Sequence, residues 1–177
     1  MTPTITLRRA TADDATALAL VGAASFLETY AELIPGTDMI AHCREKHAAQ
    51  VYAAWLADPT CAVWLAQTAV GAPVAYLVLI PASLPVEGPK PGDVEVLRIY
   101  ALSRFHGEGL GYRLMAAAVA HAQALGAPRV VLGTHEGNAK ALAFYARQGF
   151  GHIAGRRFTV GTSIFCDHVL AKDLLAR

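Results

Sequence analysis

The sequence has few cysteines, little charge and no long apolar segment, and each shortage argues against a class of protein. Its three cysteines are widely spaced and lack CxxC or Cys/His metal spacing, which argues against a disulfide framework and a zinc site. Its longest apolar run, residues 73–82, is about half the length of a membrane-spanning helix. The N-terminal stretch MTPTITLRRATADDA lacks the apolar core of a signal peptide. We therefore expect a soluble, cytoplasmic protein without a bound metal.

The charged residues are balanced and scattered along the chain. The 15 Lys and Arg nearly match the 14 Asp and Glu, so no basic face for nucleic acid or lipid headgroups is expected. A hydrophobic fraction of 54% in 177 residues is enough for a real core. We expect one domain over residues 1–177, with no nucleic-acid or membrane partner.

Alternating and continuous apolar runs predict seven strands, the last two forming a hairpin around Gly161. Helical patterns lie between them. The order β-α-α-β-β-β-α-β-α-β-β predicts an α/β (α+β) protein with a mixed, partly parallel sheet. The proline-rich segment 81–93 is expected to be an exposed loop. The predicted strands are 4–10, 61–69, 73–80, 94–102, 129–136, 152–160 and 163–174, and the predicted helices are 11–21, 25–56 with a break at Pro35, 109–125 and 138–148.

The segment RFHGEGLG at 104–111 places glycines at 107, 109 and 111, between a predicted strand and a predicted helix. A helix N-terminus has backbone N–H groups without intrahelical partners and carries about half a positive charge. Glycine adopts positive φ at little cost and, having no Cβ, lets an anion approach the backbone closely. The segment is therefore predicted to bind a phosphate group.

Glycine-rich turns of this kind occur in several classes of protein, and the rest of the sequence argues against two of them. A P-loop would have Gly-Lys-Ser/Thr, which is absent. A dinucleotide-binding turn would follow the first strand, whereas this one lies past mid-chain. A turn that merely joins a strand to a helix stays open, because the turn alone does not exclude it.

Two blocks of the chain together resemble the GCN5-related N-acetyltransferase (GNAT) family. The first is LRIYALSRFHGEGLGYRLM, in which Arg104, Gly107 and Gly109 match the family's Arg/Gln-x-x-Gly-x-Gly/Ala motif. The second, about 30 residues on, is VVLGTHEGNAKALAFYARQGF. Within the family the chain is most similar to PaiA-type polyamine acetyltransferases, through SFLETY, LRIY, GNAKALAFYARQGF and DHVLAKDL. The resemblance implies the GNAT fold, a mixed sheet of about six to seven strands with about four helices on its faces.

The resemblance implies acetyl-CoA as co-substrate and indicates where it would bind. Its pyrophosphate would lie on the turn at 104–111, held mainly by backbone N–H groups. The strand before the turn would bond the pantetheine arm and offer a donor to the thioester carbonyl, as an oxyanion site. The candidate cofactor-binding residues are Ile99, Tyr100, Ala101, Arg104, His106, Gly107, Glu108, Gly109, Leu110, Gly111, Asn138, Leu142 and Tyr145.

Helical spacing relates the polar residues of the second block. Asn138 and Tyr145 are seven residues apart, so they share one helix face with Leu142 between them. By resemblance, Asn138 bonds the pantetheine region and Tyr145 is the general acid that protonates the departing CoA thiolate. The alternative for Tyr145 is an ordinary aromatic residue packing on the sheet.

The acceptor amine must lose a proton, and the resemblance offers a glutamate near the motif strand for this task. Glu95 matches, as the candidate catalytic base. Strand alternation would put it on the face of Leu97 and Ile99, where it could equally be a solvated surface charge. Glu28 and Glu32 share a helix face and could attract a cationic acceptor, although solvated helix charges are the simpler interpretation.

The function predicted from the sequence is acetyl transfer from acetyl-CoA to a primary amine by direct attack, through a tetrahedral intermediate. A small-molecule polyamine is one expected acceptor. An amino acid, an antibiotic or a protein N-terminus stays open, as does a non-catalytic acyl-CoA-binding regulatory domain. The resemblance also allows a homodimer.

Overall fold

The computed structural model describes residues 4–84 and 88–174 and contains one seven-stranded sheet flanked by α-helices. The proline-rich loop predicted at 81–93 includes residues 85–87, which lie outside the described residues. No helix of the two described segments is long and apolar enough to cross a membrane. The strands are Ile5–Arg9, Ala62–Thr68, Pro73–Pro81, Val94–Ala101, Arg129–His135, Gly151–Val160 and Ser163–Asp173 (β1 to β7), and the helices are Ala15–Tyr30, Gly36–Lys46, Ala49–Ala57, Leu110–Ala124 and Ala139–Arg147 (α1 to α5).

This architecture confirms the predicted fold class and the predicted order of the strands, with three α-helices instead of two between β1 and β2. The first helix is longer than predicted, because the small and apolar residues after Val21 continue it to Tyr30. The irregular helical region that follows forms two helices, α2 and α3, as Pro35 precedes the first and the extended backbone of Ala48 separates them. The boundaries of α4 and α5 lie within one residue of those predicted.

The order of strands in the sheet is β1-β2-β3-β4-β5-β7-β6. Neighbouring strands are antiparallel except β4 and β5, which are parallel and are connected through α4. These two strands pair only at Val94 with Val130 and at Glu95 with Val131. Beyond these pairs, β4 continues along β3 and β5 continues along β7. A gap therefore opens in the middle of the sheet, between the C-terminal halves of β4 and β5.

Helices cover both faces of the sheet. On one face, α4 and α5 bury Leu114, Met115 and Tyr145 against the central strands. On the other face, α1 and α3 bury Leu18 and Tyr52. We name these the α4 face and the α1 face. The gap between β4 and β5 connects the two.

A β-bulge interrupts β4 near the start of the gap. Val78 of β3 pairs with Arg98, and the next residue, Leu79, pairs with Val96, so Leu97 is the extra residue. A bulge shifts the alternation of side chains between the two faces of a strand.

The bulge decides which β4 side chains face which helices. Ile99 packs in the core of the α4 face, whereas Tyr100 packs in that of the α1 face. Arg98 also lies on the α1 face, because its guanidinium bonds Tyr52. Glu95 lies there too, since it pairs with Ile80, which packs in the same core. The expectation that Glu95 shares a face with Ile99 was therefore wrong, as simple alternation ignores the bulge.

The last two strands form the predicted hairpin, and its tip is fixed to α2. Gly161 has a φ of 55° in the turn. The backbone N and the Oγ1 of Thr162 each donate to Oδ2 of Asp38, at 2.9 Å. These bonds hold α2 beside the end of the hairpin, where residues of α1, α2, β6 and β7 pack in one apolar cluster.

Candidate active site

The glycine turn lies at the N-terminus of α4, where two of its glycines adopt left-handed backbone. Gly107 has a φ of 88° and Gly109, the N-cap residue, a φ of 71°. Nothing lies within 4 Å of where a Cβ would stand at either position, so the turn faces open space. Gly111 differs, because it is helical and its Cβ would lie 3.4 Å from the ring of Phe144. Two glycines shape the turn, and the third lets α4 approach α5.

The remaining residues of the turn have different surroundings. Arg104, in a short 3-10 helix, and Glu108 are exposed. His106 places Nε2 2.8 Å from the carbonyl oxygen of Ala101, which ties the turn to the end of β4. Leu110 is buried in the core beneath α4. The turn therefore has a fixed base and an exposed polar rim.

The edge of β4 that borders the gap begins after Glu95. Ile99, Tyr100 and Ala101 lie on this stretch, which bonds β3 on one side and has no strand partner toward β5 among the described residues. Backbone N–H and C=O groups on such an edge are available to an extended ligand that carries amides. The edge leads directly to the glycine turn, as a long ligand with a phosphate at one end requires.

The residues predicted on α5 lie at its start and on the side that packs in the core of the α4 face. Asn138 is the N-cap of α5, and its Oδ1 accepts a bond from the backbone N of Ala141 at 3.0 Å. Capping uses the oxygen and leaves the amide NH₂ as a donor. Leu142 packs against the core together with Tyr145, which agrees with the predicted common face.

Tyr145 is buried, with 7% of its surface exposed. Its ring packs against Phe144 and Phe150, with centroid distances of 5.2 and 5.8 Å. Burial raises the pKa of its phenol above the usual value, and Tyr100 adds to the effect. Tyr145 therefore keeps its proton throughout the neutral range.

Three phenols converge at the gap from different elements. Tyr30 ends α1, Tyr100 lies on β4, and Tyr145 comes from α5 on the opposite face. Burial raises the pKa of Tyr30, and both Tyr100 and Tyr145 are near enough to raise it further. Tyrosines from the α1 face and the α4 face thus lie within each other's electrostatic influence.

A carboxylate that the sequence did not indicate lies beside this cluster. Asp167 on β7 is 7% exposed and pairs in the sheet with His135, the last residue of β5. Its Oδ2 accepts a bond from Nε of Arg156 at 3.0 Å. Its charge reaches both Tyr30 and Tyr100. The sequence signal for this residue is an acid in the middle of a predicted strand.

Two further acidic residues are held by serines. Glu95 is 2% exposed, and its Oε2 accepts bonds from the backbone N and Oγ of Ser83, at 2.9 and 3.2 Å. The alternative of a solvated surface charge was therefore wrong for Glu95. Glu28 accepts bonds from the backbone N and Oγ of Ser103, at 2.9 and 3.3 Å, at the start of the glycine segment.

Comparison with known proteins gives a family for this arrangement. The profile of the acetyltransferase (GNAT) family matches residues 24–150, which include β4, the glycine turn and α5. The chain belongs to the acetyltransferase (GNAT) family. It is an N-acetyltransferase whose co-substrate is acetyl-CoA. The gap edge and the open glycine turn fit a long ligand with amides and a pyrophosphate.

Relatives of this GNAT protein support the assignment. An uncharacterized N-acetyltransferase of Mycobacterium bovis and one of Mycobacterium tuberculosis are each 34% identical over 124 residues, covering 70% of this chain and 74% of theirs. The structure of PaiA N-acetyltransferase from Thermoplasma acidophilum in complex with coenzyme A has a TM-score of 0.78 at 20% identity, covering 96% and 99% of the two chains. A GCN5-related N-acetyltransferase from Rhodopseudomonas palustris has a TM-score of 0.73 at 20% identity, covering 98% and 99%. At these identities the structures show a common fold.

Proposed function

We propose that this enzyme transfers the acetyl group of acetyl-CoA directly to a primary amine that enters from the α1 face. The observation that carries the proposal is the gap between β4 and β5, which ends at the glycine turn and has the Tyr145 phenol at its border. Acetyl-CoA would supply an acyl group activated as a thioester. The backbone of the turn would hold its pyrophosphate, and the β4 edge its pantetheine arm and thioester carbonyl.

In this proposal Tyr145 gives its proton to the departing thiolate. In water a phenol of pKa about 10 protonates a thiolate of pKa about 8.5 at a cost of roughly 2 kcal/mol. Burial raises the pKa of Tyr145, which by itself increases this cost. The same apolar surroundings disfavour a thiolate anion, so its proton affinity rises as well. The raised pKa also keeps Tyr145 protonated at alkaline pH.

The acceptor amine is proposed to bind near Tyr30, Tyr100 and Asp167. A primary amine of pKa about 10.4 is almost fully protonated at pH 7, so it arrives as a cation and benefits from a buried carboxylate. Asp167 offers one beside the phenols. Glu95 is still the proposed base, as predicted from the sequence. It lies on the α1 face, at the last pair between β4 and β5 before the gap opens.

Polyamines are the acceptor class that the PaiA-type resemblance suggests. Amino acids, antibiotics and protein N-termini are the alternatives with the same chemistry. We further propose that residues 1–177 act as one catalytic domain in the cytoplasm, on small molecules and as a homodimer.

Steady-state release of CoA from acetyl-CoA tests the proposal, with a panel of polyamines, amino acids, aminoglycosides and peptides. Tyr145→Phe should lower kcat by about 10² or more for every active acceptor, as general acid catalysis contributes on that order. Tyr112→Phe is the matched control, because Tyr112 is 64% exposed and its hydroxyl has no proposed role.

Two outcomes would contradict the proposal. Tight acetyl-CoA binding without turnover of any amine would indicate an acyl-CoA-binding regulatory domain. Unchanged turnover by Tyr145→Phe across the pH range would show that another group protonates the thiolate.

A further inference from the structure

Arg98 lies on β4 within the gap region, two residues before Tyr100 and on the same face. Residues two apart on a strand are separated by about 7 Å, so its backbone is close to the phenol cluster. Its Nη1 donates to the Tyr52 hydroxyl at 2.9 Å, and its guanidinium carbon lies 4.9 Å from the ring centre of Trp55. The side chain is thus held by aromatic residues of α3.

The charge of Arg98 has no carboxylate partner within residues 4–84 and 88–174. The ion pairs in these residues involve other arginines and a lysine. Glu95 shares its face but bonds Ser83 instead. A guanidinium has five N–H donors, and the bonds formed by the described residues use only Nη1, toward Tyr52 and, at 3.4 Å, toward Nδ1 of His47. Its remaining donors are available to a ligand.

Two histidines lie within the influence of the charge of Arg98. Burial lowers the pKa of His47 to about 3, and the charge of Arg98 is the second cause. The pKa of His42 is also lowered, again by burial first and Arg98 second. Both imidazoles are therefore neutral at pH 7 and leave Arg98 as the local charge. An acceptor without a negative group would meet repulsion here.

Tyr100 lies within the influence of two opposite charges. Burial raises the pKa of its phenol, Arg98 acts to lower it, and Asp167 acts to raise it. The two charged groups come from β4 and β7, on either side of the gap. A ligand with a cationic amine and an anionic group would match both.

We propose that Arg98 binds a carboxylate of the acceptor, so that the enzyme prefers amino-acid-type acceptors over polyamines and other purely cationic amines. This inference rests on the proposed acetyl transfer and names its acceptor class. Arginine suits the task because its planar donors match a carboxylate.

Acceptor pairs that differ only in the carboxylate test this proposal with the wild-type enzyme. Lysine and cadaverine form one pair, ornithine and putrescine a second, and phenylalanine and phenethylamine a third. For at least one pair, kcat/KM should be about tenfold or more higher for the carboxylated member, the usual size of a charged hydrogen bond. Arg98→Gln should remove that preference by raising the KM of the carboxylated member. The KM of acetyl-CoA should change less than about twofold, and kcat/KM for the amine partner should stay the same or rise, because a repulsive charge is lost.

Arg44→Gln is the matched control, because Arg44 is exposed on α2, and it should leave the preference intact. Arg98→Lys should restore part of the preference, as it keeps the charge without the planar donors. Equal or faster turnover of the amine member in all three pairs by the wild-type enzyme would overturn the proposal, even if Arg98 variants fail to fold. An equal fall in kcat/KM for both members of a pair in Arg98→Gln would also overturn the proposal. Turnover of no amine would contradict the acetyl transfer itself.

Discussion

The two faces of the sheet build their halves of the candidate site by different means. On the α4 face, a continuous segment from β4 through the glycine turn into α4 presents mainly backbone groups. On the α1 face, the candidate groups are side chains from separate elements, with Tyr30 on α1, Arg98 on β4 and Asp167 on β7. One half depends on local conformation, and the other depends on long-range packing.

This difference suggests how the two halves respond to substitution. A backbone site tolerates many side chains but requires the correct φ values and open space. A side-chain site depends on the identity of each group and on the charges around it. Substitutions at the turn should therefore alter the KM of acetyl-CoA, whereas substitutions on the α1 face should alter acceptor kinetics.

The largest effect is expected from Gly109→Val. A branched residue at a φ of 71° is strained, and its side chain would occupy the open space at the turn. We expect the KM of acetyl-CoA to rise by about 10², from strain and lost backbone donors together. Gly126→Val is the control, because Gly126 has the same φ of 71° and also faces open space, at the far end of α4. Equal KM increases in both variants would contradict a binding role for the turn.

Asp167→Asn should act on the other half of the site. Loss of the buried negative charge should lower kcat/KM for the acceptor by about 10- to 100-fold, as expected for a hydrogen bond to a charged group. The KM of acetyl-CoA should change little. Asp93→Asn is the matched control, because Asp93 is also buried and forms an ion pair with an arginine, Arg129, at 2.6 Å. It lies just before β4, at the end where β4 and β5 are paired. A fall in acceptor kinetics of the same size in Asp93→Asn would assign the effect to stability.

His47→Gln tests the electrostatics of the α1 face through the pH dependence of stability. The pKa of His47 is lowered to about 3 in the folded protein, against about 6.5 when unfolded. Between these values the unfolded chain binds the additional proton, so this residue makes stability fall as pH decreases. From pH 6.5 to 5 the loss is about 2 kcal/mol. The free energy of unfolding, measured with urea at several pH values, should depend less on pH in His47→Gln than in the wild type. In His152→Gln, where the replaced histidine is exposed, the pH dependence should match that of the wild type.

The smallest effect is expected from Gly111→Ala. The new methyl group would lie 3.4 Å from the ring of Phe144, the limit of an ordinary contact. Alanine also favours the helix by up to about 1 kcal/mol over glycine. We expect the Tm to change by no more than a few degrees and the KM of acetyl-CoA by less than about twofold. A KM increase comparable to that of Gly109→Val would show that Gly111 belongs to the binding turn.

The sequence allowed the elements on the α4 face to be predicted closely, because their signals are local. The N-cap Asn138 and the glycine turn were found at the correct places. The prediction that Glu95 shares a face with Ile99 was wrong, because a β-bulge depends on pairing with β3 and leaves no pattern in β4 alone. Asp167 was missed for a similar reason, as its neighbours Arg156 and Tyr30 come from distant parts of the chain.

The sequence by itself determined the order of the strands along the chain, the family and the position of the glycine turn, since glycine placement and helix starts act within a few residues. Only the tertiary structure decided which charges lie near the proposed acceptor site. Strand register and helix packing over many residues decide whether the charge of Arg98 has a carboxylate partner. They also decide whether Asp167 lies beside the phenols. Electrostatic complementarity is a property of groups in space, and contacts between distant segments bring these groups together.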